Sequence, residues 1–411
     1  ITDFFDDPNK GMVDYSHWLD APWPDGQPVN DSTYTAELLI TDNQYTDEML
    51  TYQSGDSIFI QVSDPDRNTD DIIPESVTLD VWSELEGTPE SVTLTETDLA
   101  TGIFQGFIPL DDATGVPFAD GQLQVNHGDW MSFEYIDPAD DWGNVDTLNV
   151  RILFGGTIIS GYHGNGPYTF QRTNSPYILT GDVYVGGEGE LIIESGTQIF
   201  ISEEIGNSID GYSPGLVAIR SDGPVPIIAN GTNNDSIVIK GYTGIDKKEW
   251  KGICLAYQYE PVHSEFSFIR IENAEEAITG PYGGASESVR DTVSIMNSVI
   301  ENCDHAIDFG SMTKMLVKES LINDCNNGFK MNHHHDALSY GDTWGVQETP
   351  EASFTLLDSN IFKNIGANVD GNAVTVKSGK ITATNNQFIN ANRGIEFRYG
   401  SISNHGSRIR Y

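Results

Sequence analysis

Eight side chains in two short stretches carry the pattern with the most definite chemistry. Asp64, Asp66, Asn68, Asp70 and Asp71 crowd one loop, and Asp137, Asp140 and Asp141 crowd another. Carboxylate and amide oxygens alternating along a loop are hard donors, and calcium takes about six to eight of them. Calcium is therefore the cofactor expected, with Asp64, Asp66, Asn68, Asp70, Asp137 and Asp140 as its candidate ligands. The reading is not of an EF-hand, because Thr69 stands where the sixth-position Gly of that loop belongs. Turn aspartates bonding to their own backbone explain the same residues without any ion.

A second candidate lies in Met331-Asn332-His333-His334-His335-Asp336. His333 and His335 project to one face of an extended segment and, with Asp336, could hold a transition metal. No further ligand at metal-like spacing stands nearby, so adventitious binding by a loop is the plainer reading. Glu272, Glu301 and Asn323 align between repeats, as do Asp308 and Lys330, but a ladder of surface residues explains them as well as a glycosidase pair does. No catalytic constellation emerges, and the expectation is a protein that is not an enzyme.

The elements that position these residues are all strands. Ile269-Arg-Ile-Glu-Asn273, Ser298-Val-Ile-Glu-Asn302, Ser320-Leu-Ile-Asn-Asp324, Asn360-Ile-Phe-Lys-Asn364 and Asn386-Gln-Phe-Ile-Asn390 repeat one pattern, and the closing Asn or Asp returns after 29, 22, 40 and 26 residues. Apolar and polar residues alternate at period two, stop at Asn or Asp, and resume after a small residue. Asn tolerates the left-handed backbone that such a corner requires, and its amide can bond to the same group one repeat away. Two short strands cannot bury an apolar face alone, so copies must stack around a shared core. The 40-residue step marks an inserted loop opening at Met331. Cys303 and Cys325 hold the same place in adjacent copies and read as reduced, inward packing residues, and Cys254 has no evident mate.

In these repeats the second half of the chain resembles the right-handed parallel β-helix family of secreted and cell-surface proteins. The resemblance implies a solenoid over residues 156–411, with its first rungs after Ser175. Residues 1–32 hold Asp6-Asp7-Pro8-Asn9-Lys10-Gly11, an aromatic anchor and a Pro-rich linker. This segment resembles the piece that closes β-helices of the family, although the Trp-rich element that usually precedes it is absent. It is expected to belong with a β-helix end, either that of a neighbouring subunit or that of a longer parent chain from which this sequence is cut.

Between them, residues 33–155 read as eight strands: Tyr34–Ile40, Ser57–Val62, Ser76–Trp82, Glu90–Thr95, Gly102–Leu110, Gln122–Val125, Trp130–Tyr135 and Thr147–Leu153. Turn-punctuated spacing of this kind suggests an antiparallel β-sandwich. Motifs such as Thr101-Gly102-Ile103-Phe104-Gln105-Gly106 and Tyr135-Ile136-Asp137-Pro138 resemble Ig-like modules of bacterial and archaeal surface proteins. The expected fold class is thus all-β: an Ig-like antiparallel sandwich followed by a right-handed parallel β-helix.

Against 21 Lys and Arg stand 62 Asp and Glu, a formal charge of −41. That field disfavours nucleic acid and anionic surfaces as partners and favours solubility or divalent cations. No apolar run of about 18 residues is present, so membrane insertion is not expected. Three cysteines in 411 residues do not make a disulfide scaffold. The expected function is an extracellular or cell-surface structural protein assembling head to tail into a filament, sheath or layer. Phe4, Phe5, Val13, Tyr15, Trp18 and Leu19 of one copy would cap Ile395, Phe397, Ile402, Ile409 and Tyr411 of the next. The alternative is a carbohydrate-binding or polysaccharide-degrading surface protein, with Trp250, Tyr257 and Trp344 as sugar platforms and glycans as partners.

Overall fold

A computed structural model describes residues 34–398 apart from 54, 71, 112–119, 165, 188, 203–215, 224, 256–261, 281–290, 310–312, 333–353, 367–370 and 378–379. The described residues are nearly all strand or turn, with two single-turn 3-10 helices at Pro65–Arg67 and Arg172–Asn174. The chain divides into two compact units, residues 1–155 and 156–411.

The first unit holds β1 (Glu37–Thr41), β2 (Thr51–Tyr52), β3 (Ser57–Ser63), β4 (Ser76–Ser83), β5 (Glu90–Glu96), β6 (Ile103–Asp111), β7 (Leu123–Gln124), β8 (Trp130–Asp137) and β9 (Asp146–Phe154). All eight expected strands form, within a few residues at their ends. The two-residue β2 is too short for any periodicity to announce. Pairing runs without a break as β1-β3-β6-β5-β4-β8-β9-β2, with β7 beside β6, where an Ig-like sandwich would divide into two sheets. The reason lies in β6, which pairs β3 over seven residues and still reaches β5 through Thr95↔Gln105 and Glu96↔Phe104. The sheet curls round one core: Ile58, Ile60 and Val62 of β3 alternate inward with Val77, Leu79 and Val81 of β4 and Phe133 and Tyr135 of β8. Its curl brings the ends of β3 and β8 together although three strands separate them in the sheet.

The described residues of the second unit form a parallel β-helix of eight rungs. Strands on its first face run Tyr168–Phe170, Leu191–Ile193, Ile227–Asn230, His263–Ser267, Asp291–Met296, Thr313–Lys318, Phe354–Asp358 and Lys380–Thr384, all parallel. The second and third faces are arms of one 16-stranded sheet, joined through Tyr177–Gly186, which pairs a different strand with each of its halves. The solenoid lies within the expected 156–411, but its first rungs come before Ser175: Thr157–Tyr162 and Tyr168–Phe170 already pair in parallel with the strands that follow.

Two left-handed residues, five apart, turn each of the last five rungs. Phe268, Asn297, Glu319, Ser359 and Asn385 bend the first corner at φ 49° to 58°, and Asn273, Asn302, Asp324, Asn364 and Asn390 the second at φ 50° to 65°. The second set is the Asn/Asp mark of the repeat. The expected amide link between rungs forms where Asn390 Nδ2 donates to Asn364 Oδ1 at 3.2 Å. Just after the first corner runs another ladder. The N–H groups of Ile269, Ser298, Ser320 and Asn360 donate in turn to the side chains of Ser298, Ser320, Asn360 and Asn386, one rung further on, at 3.0–3.3 Å.

Inside, identical places stack. Ile199, Ile239, Ile271, Ile300, Ile322, Phe362 and Phe388 share one register on the second face, and Ile219, Ile253, Ile278, Ile307, Phe329, Val374 and Ile395 another on the third. Every member is buried except the last of each stack. Ala274, Cys303, Cys325 and Ile365 make a further buried stack, and all three cysteines are unpaired. Burial pushes the Cys303 thiol well up and that of Cys254 to about 12, so neither is a ready nucleophile.

Candidate metal centre

At the end of β3 the chain enters the Pro65–Arg67 turn with Asp64 as the preceding residue. Asp64 N–H donates to Gly102 O at 2.8 Å, anchoring the turn against the start of β6. Gly102 is required there: at φ +60° a Cβ would lie 2.6 Å from Pro65 Cα. The carboxyl of Asp64 is wholly buried. Its Oδ2 accepts from the Tyr135 hydroxyl at 2.5 Å, and its Oδ1 has no partner. Asp66 and Asn68, further along the same turn, each also bury an unpartnered Oδ1.

Asp137 arrives from the far end of β8 and is wholly buried too. It accepts from Ala139 N–H at 2.9 Å and from Ala36 N–H at 2.8 Å, which ties the approach to β1 to the same spot. One carboxylate oxygen each from Asp64, Asp66 and Asp137 lies within 4.8 Å of the others. Burial, then the adjoining Asp66 carboxyl and the charge of Asp137, push the Asp64 carboxyl up to about 7 against the lowering hydrogen bond from Tyr135. Burial and Asp64 together keep the Tyr135 hydroxyl protonated, as a donor.

Of the six candidate ligands, then, Asp64, Asp66 and Asp137 meet, and Asn68 presents a buried oxygen from the same turn. Asp70 and Asp140 serve their own turns instead. Asp70 Oδ1 accepts from Ile72 N–H at 2.8 Å, and Asp140 Oδ1 from Trp142 and Asn144 N–H at 2.9 and 2.8 Å. Asp141 is exposed and bonds Thr35, and Asp71 lies outside the described residues. Two residues escaped the sequence reading. Tyr135, two places before Asp137 on the same strand face, was legible as its inward neighbour. Glu75 occupies the twelfth place from Asp64, that of the bidentate Glu in an EF-hand loop, yet its carboxylate turns back to Thr69 N–H at 2.8 and 3.0 Å.

The other candidates divide likewise. His333 and His335, residues 1–19, Tyr257, Trp344, Ile402, Ile409 and Tyr411 lie outside the described residues. Trp250 cannot be a sugar platform: it is fully buried, with Nε1 donating to Glu272 O at 2.8 Å. Glu272, Glu301, Asn323 and Lys363 do share one register, but Arg270 bonds both glutamates. Asp308 stands beside Lys330 and pairs with its ammonium at 2.6 Å. Ile395 and Phe397 belong to the last described strand, Arg393–Arg398, where Ile395 is 41% exposed. Phe388 and Ile389, missed from the sequence, lie on the preceding strand Gln387–Ile389 and are 37% and 40% exposed. No helix among the described residues is long and apolar enough to cross a membrane. No protein-family model and no curated protein matches the chain.

Proposed function

We propose that the chain is an extracellular structural protein whose copies join head to tail, the segment 1–19 of one closing the last described rung of the β-helix of the next. The observation that carries this reading is the end of the two internal stacks. Phe362 and Val374 are fully buried, whereas their successors Phe388 and Ile395 are 37% and 41% exposed although they continue the same inward rows. The Asn386 N–H meets no ladder side chain among the described residues, unlike its four predecessors. Exposed strand edges beside apolar surface are the features that natural β proteins cover or pair.

Charge favours this particular occupant. Residues 371–411 carry Lys377, Lys380, Arg393, Arg398, Arg408 and Arg410 against Glu396 alone, a local +5 in a chain of −41. Segment 1–19 offers Asp3, Asp6, Asp7 and Asp14 against Lys10, a net −3, interleaved with its aromatic residues. Opposite fields at the two ends steer heterologous, non-closing contacts, which propagate as filaments.

The test is light scattering and electron microscopy on the full chain, on a deletion of residues 1–19, and on Ile395→Asp. Wild type should give linear polymers that shorten as salt rises, because exposed charges are screened beyond about 8 Å at physiological ionic strength. Both variants should remain folded monomers. Polymers unaffected by the deletion, or a wild type that stays monomeric, would sink the proposal.

A further inference from the structure

We infer that Asp64, Asp66 and Asp137, with the amide oxygen of Asn68, form a calcium site at the end of the β1–β9 sheet. This is independent of the assembly reading, since every donor lies within residues 34–155.

Three observations converge. Oxygens sharing one calcium at about 2.3–2.6 Å can stand no farther apart than about 4.6–5.2 Å, and the three carboxylates meet that limit. The Asp64 side chain is wholly buried with Oδ1 unpaired, and buried unpaired oxygens recur at Asp66 and Asn68. Buried acceptors are nearly always satisfied, and one cation would satisfy the three carboxylates together, with Asn68 offering a further oxygen from the same turn. Third, no ion pair among the described residues reaches any of the three aspartates. Arg67, on the same turn, acts on the Tyr135 hydroxyl through its charge and forms no ion pair with them among the described residues. Three carboxylates so placed repel one another, and an added cation turns the same geometry into attraction.

The donor set selects the ion. All donors are oxygen, and no thiolate or imidazole stands with them, which suits a hard cation. A neutral amide beside three carboxylates, on a turn open to solvent at Pro65 and Arg67, leaves room for water to complete the coordination of calcium. Magnesium demands a tighter octahedron and keeps more of its own water. Outer contacts are already built. Tyr135 fixes Asp64, and the Ala36 and Ala139 N–H groups fix Asp137, as the hydrogen-bond donors behind metal ligands do. A bound ion would therefore clamp the 64–68 turn, the end of β8 and the approach to β1.

The chain is stripped with chelator, dialysed, and titrated with calcium by calorimetry and with terbium, whose emission Tyr135 is placed to sensitise. One saturable site should appear, with a rise in the melting temperature of the first unit that magnesium at equal concentration does not reproduce. Asp66→Asn, on the half-exposed turn, should weaken calcium by at least about tenfold while the apo protein keeps its circular dichroism. Asp64→Asn should weaken it further, and Asp140→Asn should leave the affinity within about threefold, as its carboxylate serves a separate turn. Should Asp64→Asn fail to fold, the Asp66→Asn and Asp140→Asn comparison decides alone. Weak, unsaturable uptake spread over the acidic surface, equal response to magnesium, or Asp66→Asn binding like wild type would each overturn the assignment.

Discussion

Asn360 offers the sharpest test of what holds the β-helix together. Its side chain is fully buried at the first corner, where Oδ1 accepts from Ser320 N–H at 3.1 Å. Its Nδ2 donates to Val317 O at 2.8 Å and to Asn386 Oδ1 at 3.0 Å. Asn360→Ala removes all three bonds and strands Ser320 N–H and Val317 O in the interior. Each buried group left unsatisfied costs about 1–3 kcal/mol, so the variant should lose about 2–6 kcal/mol. Asn360→Ser should lose less, because Ser already serves at the equivalent places 298 and 320, where the hydroxyl accepts from the adjacent rung and donates to a carbonyl two residues back. The assay is urea unfolding of the second unit followed by far-ultraviolet circular dichroism, with equal m-values required before midpoints are compared. A loss below about 1 kcal/mol for the Ala variant, or a Ser variant no better than Ala, would refute the ladder as an energetic element.

Core and charge make further predictions. Phe362→Ala, which empties a fully buried place stacked at 5.3 Å on Phe388, should cost about 3–5 kcal/mol in the same assay, and Phe388→Ala clearly less because its ring is already 37% exposed. Burial alone would raise the Asp304 carboxyl, but hydrogen bonds from Lys248 and Asn326 and the nearby charges of His305 and Lys248 hold it below its usual range. A depressed carboxyl contributes stability that is present above its unfolded value of about 3.9 and is lost as pH falls through the folded value. Lys248→Met should therefore lower the melting temperature at about pH 6, and that difference should shrink as pH falls below the unfolded value of about 3.9 and Asp304 takes up its proton; a difference that does not change with pH would show that the pair contributes nothing.

The second corner was legible because its residue type and its backbone agree: Asn and Asp tolerate φ near +50° and mark it in every late copy. The first corner was not, since Phe268 and Glu319 are poor left-handed residues and nothing in their chemistry signals the bend. It is held by the residue after it, through ladder bonds between rungs that local pattern cannot display. Thr157–Tyr162 was missed for a related reason: Gly161 and the adjacent polar residues read as a loop, and only pairing with Tyr177–Gly186 makes them a strand. In the first unit the aspartate-rich loops were plain, but not which members would meet. Asp70 and Asp140 look like Asp64 and Asp137 along the chain. They part company because the sheet curls until the ends of β3 and β8 touch, a long-range event, while local turns claim the other two.

The two proposed sites reflect one physical difficulty, the handling of charge in a protein of −41. Self-repulsion on that scale works against compact packing, and it is felt most where carboxylates are buried together, as at Asp64, Asp66 and Asp137. A divalent cation held by them would relieve it there. Over residues 371–411 the sequence balance is reversed, with six Lys and Arg against Glu396 alone, and Phe388 and Ile395 of that stretch are exposed. Under the head-to-tail proposal these basic residues would draw the acidic, aromatic segment of a neighbour in along the field, and the exposed Phe388 and Ile395 would supply the short-range contact that holds it. Salt should therefore slow the growth of a polymer far more than it speeds its dissociation, because screening acts on the approach and not on the buried apolar joint.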